Sequence, residues 1–176
     1  MRRTIACLAL VALTACAPAG PTVDGAGIYR IRAADRDDIQ FRMLDSVNAL
    51  RAGVGAPPLS LNAALTAAAE THARDMSRQQ RAWPFGSDGS SPYDRISRSG
   101  YGGGLVAEVY SQTYETELET LAAWVDDGAW GDEILDPSAT DMGFGWQQDN
   151  NGLIWWAIVL GDRSAPLPQP VDAGFF

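Results

Sequence analysis

Apolar residues recur at helical spacing near the start of the part of the chain that has the composition of a folded domain. Ile39, Met43, Val47 and Leu50 are separated by four, four and three residues. This spacing puts them on one face and predicts an amphipathic helix over residues 35–52. Two glycines and two consecutive prolines follow, and they end the predicted helix because proline cannot continue one.

A second helix is predicted over residues 61–80 by the same kind of pattern. Leu65, Ala68, His72 and Met76 share one face of it, so His72 is expected to point into the core. The histidine is therefore interpreted as a core residue hydrogen-bonded to the backbone, with a catalytic role as the weaker alternative.

The rest of the chain mixes loops, short apolar runs and one further helical pattern. Residues 83–104 lose the helical period and are rich in turn-forming residues, so they are predicted to form loops. The remaining predicted elements are a strand at 105–110, a helix at 115–126 with Leu118, Leu121, Ala122 and Val125 inward, and strands at 141–147 and 153–160. An Asn-Gly pair separates the last two strands and predicts a β-hairpin.

Three helices and a hairpin around one core predict the fold class. The expected architecture is α+β, a three-layer α-β-α sandwich, over residues 35–163. The tail, residues 164–176, holds three prolines and is not expected to form regular structure.

The N-terminus has the features of a bacterial lipoprotein signal. Residues 1–15 combine a positive start with an apolar run too short to span a bilayer. They end in Leu-Thr-Ala before Cys16, which resembles the lipobox whose cysteine receives acyl chains. Residues 16–34 are then predicted to be a flexible tether. The alternatives are an ordinary secretory signal or an apolar anchor.

Charge and cysteine content exclude several classes of protein. The net charge is −9, and all 13 basic residues are arginines, so nucleic acid is an unlikely partner in electrostatic terms. The acidity itself is interpreted as a contribution to solubility. The chain has two cysteines, Cys7 and Cys16, so no pair remains in the domain for a disulfide.

His72 is the single histidine, and this limits the catalytic chemistry. A zinc site built on two or three histidines cannot form within one chain. Thiol catalysis is excluded as well, because Cys7 leaves with the signal peptide and Cys16 is acylated. No metal and no cofactor are predicted.

Carboxylates are the remaining candidates for chemistry. Glu108 lies in an otherwise apolar strand, so it should face the side opposite to Ala107 and Val109. Asp126 and Asp127 end the third predicted helix, where the negative end of the dipole is unfavourable to acids, so a compensating arginine or cation is expected. Five of the tryptophans are concentrated in the C-terminal half, where they build core or line a ligand groove.

An ordered set of motifs resembles the CAP superfamily, also called SCP-like domains, over residues 40–161. The matching residues are Asn48, Arg51, Gly55, Pro57-Pro58-Leu59, Leu65, Ala69, His72, Asp75-Met76, Gly86 to Pro92, Asp94-Arg95-Ile96, Gly100-Tyr101, Glu108, Trp124, Ile134 to Pro137, Met142 to Gly145 and Trp155-Trp156. The resemblance implies an α-β-α sandwich and export. It also implies a central cleft with two histidines and acidic partners, which binds a divalent metal in some members.

The chain departs from the family pattern at the cleft histidines. Pro84 stands at the first histidine position and Trp130 at the second. The acid of the Glu-Asn-Ile motif is retained as Glu108, and Asp127 falls near a second acidic position. His72 matches a helix position outside the cleft pair. The resemblance thus implies a retained scaffold whose metal site has been lost.

Three functions follow from these observations. The leading hypothesis is a non-catalytic, lipid-anchored CAP-like protein of the bacterial cell envelope, facing the periplasm or the exterior. It would bind a lipid, glycan or protein partner through a cleft with Pro84, Glu108, Asp127 and Trp130. The alternative is a hydrolase of envelope glycan that pairs Glu108 with Asp126 or Asp127. The third is a structural envelope protein whose cleft is filled by its own side chains.

Overall fold

A computed structural model describes residues 22–23, 25, 27–113 and 115–165. The predicted signal peptide, Cys16 and the C-terminal tail beyond residue 165 lie outside the described residues. No helix in the described part of the chain is long and apolar enough to cross a membrane.

The described elements follow the predicted order, with five additional helices and strands and a 3-10 turn. The helices are α1 (Arg36–Gly53), α2 (Ala63–Gln79), α3 (Pro92–Arg98), α4 (Glu117–Asp126) and α5 (Gly128–Ile134), and a 3-10 turn, Ala33–Asp35, precedes α1. The strands are β1 (Thr22–Val23), β2 (Tyr29–Arg30), β3 (Ser60–Leu61), β4 (Gly104–Thr113), β5 (Asp141–Gln148) and β6 (Ile154–Asp162). Helices α3 and α5 and strand β3 were not predicted, and neither were β1 and β2, which lie in the predicted tether.

Strands β3 to β6 form a mixed sheet in the order β3-β5-β6-β4. The pairs β5–β6 and β4–β6 are antiparallel, and the two-residue strand β3 runs parallel to β5. The predicted hairpin is confirmed as β5–β6. Strand β4 lies at an edge of this sheet, with its C-terminal end beside the start of β6.

Apolar side chains are buried on both faces of the sheet, and this makes three layers. One core packs against α1, α4 and α5 and includes Met43, Val109, Trp124, Phe144 and Trp156. The other packs against α2 and α3 and includes Leu65, Met76, Ile96, Trp155 and Val159. The predicted α+β sandwich is confirmed.

Two glycines of β5 allow α2 to pack directly on the sheet. A Cβ atom at Gly143 would overlap the backbone of Leu65, and one at Gly145 would overlap Glu70. Leu65, Ala68, His72 and Met76 are all buried, so the predicted inward face of α2 is confirmed.

The inward faces predicted for α1 and α4 are partly wrong. Leu50 is 38% exposed, and Arg51 is buried in its place. The Arg51 guanidinium donates hydrogen bonds to the carbonyls of Pro57, Ile134, Asp136 and Ala139, which makes its burial tolerable.

The third predicted helix begins two residues late, and only part of its predicted inward face is buried. Leu118 is 41% exposed and Ala122 is exposed, while Leu121 and Trp124 are buried. Glu117 is buried as well, because the guanidinium of Arg42 donates to its carboxylate.

Helix α3 corrects the prediction of loops over residues 83–104. The Ser91 hydroxyl accepts from the Asp94 backbone, and the Asp94 carboxylate accepts from the Ser91 backbone. Pro92 occupies the first turn. These residues form a capping box with proline at the start of the helix, which the sequence analysis interpreted as turn chemistry.

The last part of the predicted tether packs on the domain. The Gln148 side chain donates to the Tyr29 carbonyl at 2.9 Å and accepts from the Ile31 backbone at 3.1 Å. Tyr29 and Ile31 also pack against the core beside α1. The segment around β2 is therefore fixed at the end of the sheet where β5 turns into β6.

Candidate functional site

Glu108 lies in the middle of the edge strand β4. Strand alternation turns Ala107 and Val109 into the core beside α1, so Glu108 faces the α2 side as predicted. Its side chain is only 3% exposed. The predicted cleft would leave Glu108 open to solvent, whereas this carboxylate is enclosed by protein.

Arg95 of α3 is the main partner of Glu108. Its Nη2 donates to Glu108 Oε1 at 2.5 Å and to the Pro84 carbonyl at 2.7 Å, and its Nη1 donates to the Ser90 carbonyl at 3.3 Å. The guanidinium is itself buried. Arg95 thus ties the edge strand to the loop that carries Pro84.

His72 of α2 completes the cluster from the other side. Its Nε2 lies 2.9 Å from the Trp83 carbonyl, and since a carbonyl only accepts, Nε2 carries a hydrogen. The histidine is buried, and its predicted hydrogen bond to the backbone is confirmed. Its Nδ1 lies 3.1 Å from Glu108 Oε1, without the alignment of a hydrogen bond.

Tyr110 and Glu133 border this cluster. The Tyr110 ring contacts the His72 ring edge-on at 4.8 Å between centroids. Burial raises the pKa of Tyr110, and the charge of Glu108 raises it further. Burial also raises the pKa of Glu133, which is on α5. Since Glu108 is itself only 3% exposed, its carboxylate is poorly hydrated.

Pro84 and Trp130 lie on different sides of the site. Pro84 is held through its carbonyl by Arg95, on the α2 side of the sheet. Trp130 of α5 is partly buried and packs against the core beside α1. Among the tryptophans of the C-terminal half, Trp124, Trp155 and Trp156 build core, while Trp130 and Trp146 are partly exposed.

Asp126 and Asp127 are exposed at the junction of α4 and α5. The Asp127 carboxylate accepts from the Trp130 backbone at 3.4 Å and caps α5. This explains an acid at the end of α4, because the same residue starts the next helix, where a carboxylate is favourable. The expected arginine or cation is not needed for Asp127.

The structure does not bring Glu108 together with the two aspartates. Glu108 faces α2 and α3, whereas α4 packs on the opposite face of the sheet. Glu108 is also enclosed and engaged by Arg95. A general acid or base must reach the proton that it transfers, so this arrangement is unsuited to acid–base catalysis with Asp126 or Asp127.

The residues at the two cleft-histidine positions do not fit a divalent metal. Proline offers no side-chain lone pair, and the indole nitrogen of tryptophan is a donor only. Among the residues that the structure describes, no group of three or more histidine, cysteine, aspartate or glutamate side chains could hold a metal ion.

Arg95 is the site residue that sequence reasoning missed. It stands in the matched Asp94-Arg95-Ile96 motif, next to a buried isoleucine. The capping box at Ser91 would have predicted a helix there, with Arg95 one turn into it.

Three surface cavities are lined by described residues, and neither Trp130 nor Glu108 is among those residues. A cavity of about 390 Å³ adjoins the Gly100–Gly103 loop and Arg163, and one of about 420 Å³ adjoins Gln40 and the start of α2. The third, of about 270 Å³, lies between α2 and α3 and is lined in part by Arg95 and Asp75.

The architecture and the buried cluster define a small α+β domain of the three-layer type. A family model for the cysteine-rich secretory protein family, CAP, matches residues 44–160. The chain belongs to the CAP family. No curated protein sequence matches it significantly.

Solved structures show the same fold at low sequence identity. An outer surface protein of Borrelia burgdorferi is 14% identical with a TM-score of 0.62, over 77% of this chain and 98% of that one. An extracellular SCP-domain protein of Bacillus anthracis is 16% identical with a TM-score of 0.62, over 74% and 44%. A cysteine-rich secretory protein of Staphylococcus aureus is 13% identical with a TM-score of 0.54, over 75% and 41%. The chain thus spans less than half of the last two.

Proposed function

We propose that this protein is a lipid-anchored CAP domain of the bacterial cell envelope that binds a partner and does not catalyse a reaction. The enclosed position of Glu108 carries the proposal. Its carboxylate is 3% exposed and engaged by Arg95, so it ties strand β4 to the Pro84 loop. Pro84 and Trp130 supply no general base and no metal ligand.

The partly exposed aromatic side chains around the enclosed cluster suit a ligand that is recognised by shape and apolar contact. Trp130 is partly exposed on α5, and Tyr110 and Glu133 border the enclosed cluster. Partly exposed aromatic rings beside a few polar groups are typical of lipid and glycan sites and of protein interfaces. The ligand class is therefore a lipid, a glycan or an envelope protein.

The location of the structural neighbours supports an exported protein. The matched proteins from Borrelia burgdorferi and Bacillus anthracis are described as outer surface and extracellular proteins, respectively. The lipobox-like end of residues 1–15 agrees with export of this chain and with attachment through Cys16.

Binding and catalysis are separated by an assay on purified cell-wall glycan. The mature chain and its Glu108→Gln variant are incubated with the glycan, and new reducing ends and bound protein are measured. We expect no release of reducing ends by either chain. Release by the wild type that the Glu108→Gln variant loses would establish the hydrolase instead.

The lipid anchor is tested by Cys16→Ala, with Cys7→Ala as the matched control. We expect the Cys16→Ala chain to be unprocessed or soluble. The Cys7→Ala chain should fractionate with membranes at the mature mass, because its cysteine lies within the removed signal. A Cys16→Ala chain of mature mass on the membrane would refute the anchor.

A further inference from the structure

An aromatic and cationic cluster projects at the C-terminal end of α2. We call Arg81, Trp83 and Phe85 the aromatic corner. The Trp83 and Phe85 rings meet edge to face at 5.4 Å, and the Arg81 guanidinium lies 4.3 Å from the centre of the Trp83 ring. Phe85 is 43% exposed, and Arg81 is exposed.

The aromatic corner is held in place by the end of α2. Trp83 Nε1 donates to the Gln79 side chain at 2.8 Å, and the same side chain donates to the Phe85 carbonyl at 3.0 Å. The exposed rings are therefore presented by a fixed scaffold, which lowers the entropic cost of binding a surface.

The N-terminal segment joins the domain beside this corner. Gln80 and Ser77, at the end of α2, donate to the Asp149 carboxylate at 3.0 and 2.5 Å. Arg30 of β2 donates to the Asp149 carbonyl at 3.3 Å and to the Asn150 carbonyl at 2.9 Å. A single turn, that of the β5–β6 hairpin, thus contacts both the end of α2 and the entering chain.

The stretch of chain between the anchor at Cys16 and this end of the domain is short. Thr22 pairs with Arg30 in the β1–β2 ladder. Residues 17–21 separate Cys16 from Thr22. At about 3.3–3.6 Å per residue, this stretch spans roughly 20 Å at most when fully extended. An acylated Cys16 would therefore keep the end of the domain that bears the aromatic corner close to the bilayer.

Charge along the chain favours the same orientation. Residues 99–162, which include α4 and α5, contain 12 acidic residues and no lysine or arginine, and one of these acids, Asp149, lies at the end of α2. Arg74, Arg78 and Arg81 lie on and just after α2. An anionic bilayer repels the acidic side and attracts exposed arginines. Arg74 and Arg78 lie within ion-pair distance of Glu70 and Asp75, so Arg81, which stacks on Trp83, is the arginine that favours contact with anionic headgroups.

We infer that the aromatic corner docks on the lipid bilayer that carries the anchor, with Phe85 and Trp83 at the headgroup level. This inference rests on the lipid anchor of the proposed function. Aromatic rings favour the membrane interface, and arginine favours anionic headgroups. Two rings alone bind a bilayer weakly, but a short tether raises their effective concentration, so docking follows from anchoring.

The test compares two exposed positions on the full mature, lipidated chain. Phe85→Cys and Leu118→Cys replace apolar side chains of matched exposure, 43% and 41%, at the aromatic corner and on α4. Acylation blocks Cys16, so a fluorescent label attaches only to the new cysteine. Each labelled chain is reconstituted in phosphatidylethanolamine–phosphatidylglycerol vesicles, floated on a density gradient and exposed to iodide.

We expect iodide to quench the label at position 85 about threefold or more weakly than the label at 118, because the interface excludes the anion. Arg81→Glu should reduce this protection, whereas the control Arg98→Glu on α3 should leave it intact. Chains that float with the vesicles but show equal quenching at both positions overturn the docking and leave the anchor standing. Chains that fail to float overturn the anchor and the docking together.

Discussion

At the scale of single residues, the Glu108–Arg95 pair explains why an acid in the middle of an apolar strand has a structural role. Both side chains are almost fully buried, and Arg95 Nη2 donates to Glu108 Oε1 at 2.5 Å. A buried charge without its partner costs several kcal/mol. The pair therefore fixes the position of α3 and of the Pro84 loop against β4.

We predict that Glu108→Ala lowers the free energy of unfolding by about 3–5 kcal/mol, because it leaves Arg95 buried without a counter-charge. Urea denaturation measures the change. Asp126→Ala removes an exposed acid and should change stability by no more than about 0.5 kcal/mol. An effect of Glu108→Ala as small as that of the control would show that the pair does not hold the fold.

Asp141 is a second buried acid, and Arg163 and Tyr101 donate hydrogen bonds to its carboxylate. Burial raises the pKa of its carboxyl, but hydrogen bonds from Arg163 and Tyr101 outweigh that effect and hold the pKa below its usual range. The Tyr101 hydroxyl donates at 2.9 Å, and the Arg163 guanidinium contacts both oxygens. The folded protein therefore prefers the ionised form more strongly than the unfolded chain does.

This preference predicts an acid-dependent loss of stability. The contribution of Asp141 is complete above the unfolded pKa of about 3.9 and disappears as pH falls through the lower pKa of the folded state. Unfolding in urea is measured from pH 7 to pH 2.5 for the wild type and for Asp141→Asn. The difference between them should be largest at pH 7 and shrink in acid, whereas a constant difference would contradict the ionised role.

At the scale of elements, periodicity predicted the long helices and the hairpin because each has its own repeating pattern. The short elements depend on other signals. Helix α3 has seven residues, too few for a period to emerge, and it is defined by the capping box of Ser91 and Asp94. The inward face of α1 differs from the predicted one because Arg51 donates hydrogen bonds to the carbonyls of Ile134 and Ala139. These residues are distant from Arg51 in the sequence, so no local pattern predicts the contact.

Ser91 is predicted to support α3 and, through it, Arg95. Ser91→Ala removes the N-cap and should cost about 1 kcal/mol. Ser97→Ala lies on an exposed position of the same helix and should be neutral or slightly stabilising, because alanine is the better helix former. Thermal unfolding of both variants checks this, and equal melting temperatures would mean that the cap does not contribute.

At the scale of the whole molecule, the fold could be predicted from the sequence but the site only in part. The ordered motifs defined the family, and the structure confirmed its sandwich. The buried network of His72, Arg95 and Glu108 could not be predicted, because its members come from three elements whose contacts depend on tertiary packing. The separation of Glu108 from Asp126 likewise required knowing which face of the sheet each helix covers.

The central claim is that this chain keeps the family scaffold without the donor atoms of a metal site. Titration of zinc into the mature protein by calorimetry tests it most directly. The account predicts no saturable heat for the wild type. Tight one-to-one binding of zinc by the wild type would contradict it.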